Sequence, residues 1–116
     1  MEEILEGLTQ TSGVQASMIV TKDGLVVAHS GDVGALDADS LGASSSEFFA
    51  TAESMLGERL AQGPVEIIHV ESSHGKFVMS GINESSFLLV IARSKVNLGL
   101  IRWEVKAAAE RLKEVV

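Results

Sequence analysis

Ser86-Phe87-Leu88-Leu89-Val90-Ile91-Ala92-Arg93 is the stretch whose reading decides the fold. Between its polar ends the residues are apolar without alternation. A strand wetted on one face alternates, whereas an unbroken apolar run of strand length has both faces covered. The run is far short of the roughly 20 residues a membrane-spanning helix needs. It therefore predicts a central strand with helices above and below the sheet.

Upstream, Lys76–Ile82 and Val65–Glu71 read as two more strands, with turns at Ser72-Ser73-His74-Gly75 and Asn83-Glu84-Ser85, so the three form a meander. Pro64, which has no N–H to lose, is read as opening the first of them. Nearer the N-terminus, Val14–Thr21 and Leu25–His29 flank Lys22-Asp23-Gly24, and two β-rich runs joined by Asp-Gly predict a hairpin. Ser30–Ala38 is a small polar loop. Three helical stretches complete the order. Glu2–Gln10 places Ile4, Leu5 and Leu8 on one face, with acids in the first turn. A long helix starts near Asp37, Asp39 or Ser40 as N-terminal cap and runs to about Gln62, where Gly63 stops it. A last helix follows Asn97, with Leu98, Ile101, Val105, Ala108, Ala109 and Leu112 at three- and four-residue spacing. The expected fold is α+β: a single domain over residues 1–116 with a five-stranded antiparallel sheet, the long helix on one face and the two terminal helices on the other.

Composition excludes several functions. A chain of 116 residues with 46% hydrophobic content is too apolar for disorder and long enough for its own core. Its mean hydropathy of +0.26 hints at apolar surface reserved for a partner. There is no cysteine, hence no disulfide, thiolate zinc site or thiol nucleophile. Net charge is −7 and the basic residues are scattered, which disfavours nucleic acid. The acidic start lacks a secretory pattern and no run suits membrane insertion, so the expected location is cytoplasmic.

Signs of chemistry are thin. Neither a phosphate-cradling GxxxxGK[ST] nor a GxGxxG after a strand is present. His29, His69 and His74 show no metal-ligand spacing. Ser44, Ser45 and Ser46 lack a GxSxG elbow. Arg59, Arg93, Arg102 and Arg111 fall in regular elements, not on exposed loop tips suited to an arginine finger. No catalytic, cofactor-binding or metal residue is assigned, and the chain is read as a non-enzyme.

The long helix carries two stripes. Leu41, Phe48, Phe49, Ala52, Met55, Leu56 and Leu60 form a broad apolar arc expected to sit on the sheet. Nearly opposite runs a seam of Ala43, Ala50, Ser54, Gly57 and Ala61. Alanine alone would be ordinary helix filling, but a mid-helix glycine costs about 0.5–1 kcal/mol, so the seam is read as a close helix–helix contact. Glu66, Ile67, Ile68, His69 and Val70 belong to a strand expected at a sheet edge, apolar on both faces and unprotected by lysine, which invites pairing with another copy. Seam and edge together predict an isologous homodimer, and Ala50→Arg is expected to make it a monomer.

Gly13-Val14-Gln15-Ala16-Ser17-Met18-Ile19-Val20 with Lys22-Asp23-Gly24-Leu25-Val26-Val27-Ala28 resembles the opening of roadblock/dynein light chain domains. Ala92-Arg93-Ser94-Lys95-Val96-Asn97-Leu98-Gly99-Leu100-Ile101-Arg102 resembles their closing strand-to-helix turn. The resemblance covers nearly the whole chain and implies a profilin-like roadblock fold that dimerises through the long helix and the third strand. It implies a relation to bacterial MglB-like regulators, which act on a Ras-like small GTPase by holding the GTPase's own residues in place. The implied function is a dimeric GTPase regulator; the alternative is a structural adaptor in a larger motor or signalling complex. Some bacterial activators carry a C-terminal extension beyond the last helix, and this chain ends at Val116, so the resemblance implies binding before it implies activation.

Overall fold

A computed structural model describes residues 1–33 and 37–116. The expected Ser30–Ala38 loop falls partly outside the described residues. The elements run α1 (Glu2–Thr9), β1 (Val14–Thr21), β2 (Val26–Gly31), α2 (Ala38–Glu53), β3 (Ile67–Ser72), β4 (Gly75–Gly81), β5 (Ser86–Arg93) and α3 (Leu98–Leu112). The five strands form one antiparallel sheet in the order β2-β1-β5-β4-β3. β5 is the middle strand, as its unbroken apolar run requires. Asp37 caps α2 by accepting the Ser40 N–H at 2.7 Å, and Asn97 caps α3 by accepting the Leu100 N–H at 3.1 Å.

Alternate residues of the sheet feed two cores. On one face, Ile19, Val78, Leu88 and Val90 pack against Leu5 and Leu8 of α1 and Ile101, Val105 and Leu112 of α3. On the other, Met18, Val20, Met79, Phe87 and Leu89 meet Phe49 of α2, whose ring stacks on Phe87 at 4.7 Å. The two faces are unequally covered. Among the described residues the α1/α3 core holds fourteen buried residues and three half-buried neighbours, whereas the α2 core holds seven buried and nine half-buried. One helix does not cover a five-stranded sheet.

Three boundaries differ from the sequence reading. β3 begins at Ile67, not at Pro64–Val65, because Val65 turns into the α2-side core. β2 begins at Val26, since Leu25 closes the Asp-Gly turn and stays 66% exposed. α2 does not run regularly to Gln62. It passes into a π-helical turn over Ser54–Arg59, where the Leu60 N–H reaches back five residues to the Met55 carbonyl at 2.9 Å. Ala61 then takes φ 52°, in the left-handed region, and lies beyond the helix.

Candidate functional site

β3 is a free sheet edge. Its cross-strand partners Met79 and Phe77 put Ile68 and Val70 on the α2 face, while Ile67 and His69 look to the α1/α3 face. All four remain only half-buried in the single chain, and Glu66 before them is exposed. Among the described residues His69 Nε2 is buried without a hydrogen-bond partner and lies 3.4 Å from Glu71 Oε1, an ion-pair distance without hydrogen-bond geometry. An orphaned polar atom on an open edge costs free energy unless something else supplies its partner.

Beside this edge, α2 and the sheet leave a groove of about 540 Å³, floored by Phe77 and Ile91 and walled by Leu41, Phe48 and Val70. Phe48 stands edge-on to Phe77 at 5.5 Å, yet is 45% exposed. Met55 and Leu60 are more than half exposed. The broad apolar arc is thus divided. Leu41, Phe49, Ala52 and Leu56 pack on the sheet, whereas Phe48, Met55 and Leu60 project outside the core. Phe49 lies under the helix against the sheet, and Phe48, about 100° round the helix, stands at the margin over Phe77. The sheet-facing row also includes Gly42, Ser45 and Ser46, all buried. A Cβ on Gly42 would meet Val26 Cγ2 at 2.6 Å, which shows how closely α2 approaches β2. Ser45 and Ser46 satisfy their hydroxyls on the Leu41 and Ala43 carbonyls at 2.7 and 3.0 Å.

The seam lies elsewhere. Ala43 sits over the β1–β2 turn, its Cα 3.6 Å from where a Gly24 Cβ would stand, and Lys22 of that turn pairs with Glu53 at 3.0 Å. Ala43, Ala50 and Gly57 are exposed and Ser54 is half-buried. Ser54 and Gly57 fall in the π-helical turn, where the 100° wheel no longer applies, and Ala61 is off the helix. The structure therefore brings β3 together with the Phe48 flank of α2 and turns the seam toward the opposite side.

No catalytic constellation forms among the described residues. His29 lies on β2, the edge opposite His69 on β3, and His74 occupies the β3–β4 turn. Among the described residues no cluster of three or more His, Asp or Glu is placed to hold a metal. Arg59, Arg93, Arg102 and Arg111 are exposed at helix or strand positions. No described helix is long and apolar enough to cross a membrane.

The Roadblock/LC7 domain model matches residues 1–92. The chain belongs to the Roadblock/LC7 family. At the sequence level it is 42% identical over 113 residues to the uncharacterised protein MJ1340 of Methanocaldococcus jannaschii, covering 97% of this chain and 96% of the relative. In structure it is similar to MglB of Myxococcus xanthus, with TM-score 0.89, 21% identity, and coverage of 97% of this chain and 91% of that one. A Roadblock/LC7 domain from Streptomyces avermitilis superposes with TM-score 0.88 at 19% identity, over 98% and 95% of the two chains. Acanthamoeba castellanii profilin IB follows at TM-score 0.66 and 16% identity, over 95% and 94%, in keeping with a profilin-like layering. The α+β architecture read from the order of elements, and the roadblock fold that the resemblance implied, are what the chain adopts.

Proposed function

We propose that this chain is a non-catalytic cytoplasmic binding module that acts as a homodimer and regulates a small Ras-like GTPase by protein–protein contact. Family membership supports a regulatory or adaptor role, and the likeness to MglB favours the regulator. The observation that carries the dimer is the uncovered β3 edge beside the exposed Phe48 and Met55. Antiparallel pairing of two β3 strands extends the sheet to ten and gives unpaired backbone groups their partners. The same twofold sets the Phe48 flanks of two α2 helices side by side, over sheet that one helix leaves half-covered. It also offers His69 Nε2 a partner from the second copy. Glu66, Ile67, Ile68, His69 and Val70 are the edge of this interface. The seam residues Ala43, Ala50, Ser54 and Gly57, on the far flank of α2, join only if the two helices cross steeply over the twofold.

The test is direct. The chain is added to a Ras-like GTPase encoded in the same genome, loaded with GTP, and both complex formation and phosphate release are followed. Binding with a changed rate of release is the expected result. Binding at an unchanged rate identifies an adaptor, and no complex with either nucleotide state refutes the GTPase reading.

A further inference from the structure

Only some backbone groups of β3 are open to a second strand, and they select how it pairs. The Gly81 N–H donates to the Glu66 carbonyl at 3.3 Å, so Glu66 and Gly81 form a hydrogen-bonded pair that extends the β3–β4 ladder. Such pairs alternate along an antiparallel ladder. Ile68 and Val70 therefore direct their N–H and C=O groups to β4, while Ile67, His69 and Glu71 turn theirs to the open edge. A twofold that sets His69 opposite His69 of a second copy puts all three residues into hydrogen-bonded pairs, each Ile67 with the other copy's Glu71. A twofold through Val70 pairs only His69 and Glu71. Backbone satisfaction selects the first register.

The side chains of these three residues share the α1/α3 face of the sheet, as does Lys76, which stands opposite Glu71 on β4. His69 Nε2 and Glu71 Oε1 lie 3.4 Å apart, and that nitrogen is buried with no hydrogen-bond partner among the described residues. With the ring proton on Nδ1, a lone pair and a carboxylate oxygen face each other with no proton between them. Two ligand atoms on one tetrahedral zinc, each at about 2.0–2.1 Å from the ion, stand roughly 3.4 Å apart. The pair is spaced as metal ligands are.

One chain offers two ligands, which is too few to hold an ion well. In the selected register His69 of the second copy stands across the axis on the same face, with Cα atoms about 5.5 Å apart. Its own Glu71 accompanies it. Two imidazoles and two carboxylates then gather at the twofold, a set of four that suits zinc. Lys76 Nζ lies 3.6 Å from the same Glu71 oxygen, and its side chain is 11% exposed. The carboxylate has a second oxygen for the ammonium, so Lys76 orients Glu71 from behind. Its charge also weakens the hold on a cation.

We propose that the β3–β3 twofold is an inter-subunit site for a divalent transition metal, zinc by its ligands, held by His69 and Glu71 of both copies. The site rests on the β3 pairing argued above, and neither copy completes it alone. Four protein ligands leave a tetrahedral zinc no open position, so the ion is structural. An ion that binds only the pair stabilises the pair by mass action. Assembly is thereby tied to metal supply.

The test titrates chelator-treated protein with Zn²⁺ by calorimetry and with Co²⁺ by visible absorption, and compares sedimentation with and without Zn²⁺. One ion should bind per two chains, Co²⁺ should give the visible bands of a tetrahedral site, and Zn²⁺ should lower the dissociation midpoint of the dimer at least about tenfold. His69→Ala leaves the backbone pairing in place and should abolish the zinc effect. His74→Ala, in the β3–β4 turn, should keep it. The metal site is overturned, with the pairing left standing, by a dimer that takes up no ion, by a His69→Ala variant that responds to zinc as the parent does, or by a zinc effect lost equally in His74→Ala. A parent chain that stays single with and without Zn²⁺ refutes the pairing itself and the site with it.

Discussion

Phe48 and Phe49 are adjacent in sequence and should respond to truncation in opposite ways. Phe49 is 1% exposed and stacked on Phe87 at 4.7 Å. Replacing a buried phenylalanine by alanine costs about 3–5 kcal/mol. For 116 residues, unfolding entropy makes each kcal/mol worth about 4 °C, so Phe49→Ala should lower the melting temperature by about 12–20 °C. Phe48 is 45% exposed and has one edge-on ring contact, with Phe77. That contact is worth about 0.5–1.5 kcal/mol, so Phe48→Ala should lower the melting temperature of the isolated chain by only about 2–6 °C. Its larger effect should be on assembly, and assembly makes the melting temperature depend on protein concentration. Calorimetric melts at several concentrations separate the two. The parent chain and Phe49→Ala should both gain temperature with concentration, while Phe48→Ala should lose most of that slope. If Phe48→Ala costs as much as Phe49→Ala at high dilution and the slope is unchanged, Phe48 belongs to the core of the single chain and the interface argument fails.

Further outcomes can be checked separately. Ser17, fully buried in β1, donates its hydroxyl to the Leu5 carbonyl of α1 at 3.0 Å. Ser17→Ala should cost about 1 kcal/mol and show first as faster amide exchange in α1. The Asp37 carboxylate is held below the ordinary aspartate value by the Ser40 backbone N–H first and the Ser40 hydroxyl second. A lowered folded value means the cap contributes fully above the unfolded aspartate value and is lost as pH falls through the folded one. Protection of the first turn of α2 should fade at acid pH, and Asp37→Asn should remove that pH dependence. Ala50→Arg, placed on the flank away from β3, should leave the sedimenting mass unchanged, whereas Phe48→Arg should halve it. The reverse pattern would return the dimer to the seam.

The fold was legible because each element announced itself through a physical constraint the sequence must obey. The unbroken Phe87–Ala92 run placed β5 in the middle of the sheet, and Asn97 and Asp37 marked helix starts that their caps satisfy. The edge position of β3 was legible too. The orientation of α2 was not. An ideal wheel gives every apolar residue of the arc to the sheet, but the sheet takes Leu41, Phe49, Ala52 and Leu56 together with Gly42, Ser45 and Ser46, and leaves Phe48, Met55 and Leu60 outside. Ser45 and Ser46 stood outside the apolar arc, although their hydroxyls close on helix carbonyls and leave an apolar outer shape. The width of the arc was the missed signal, since seven apolar residues exceed one buried face. The π-helical turn left no trace in residue type, and it displaced the last positions of the seam.

Sedimentation equilibrium at low micromolar concentration tests the central claim most directly. One chain has a mass of 12.3 kDa. Pairing along β3 and the Phe48 flank predicts twice that mass for the parent protein, falling to the single-chain value for Phe48→Arg. A parent protein that sediments as one chain at this concentration contradicts the account.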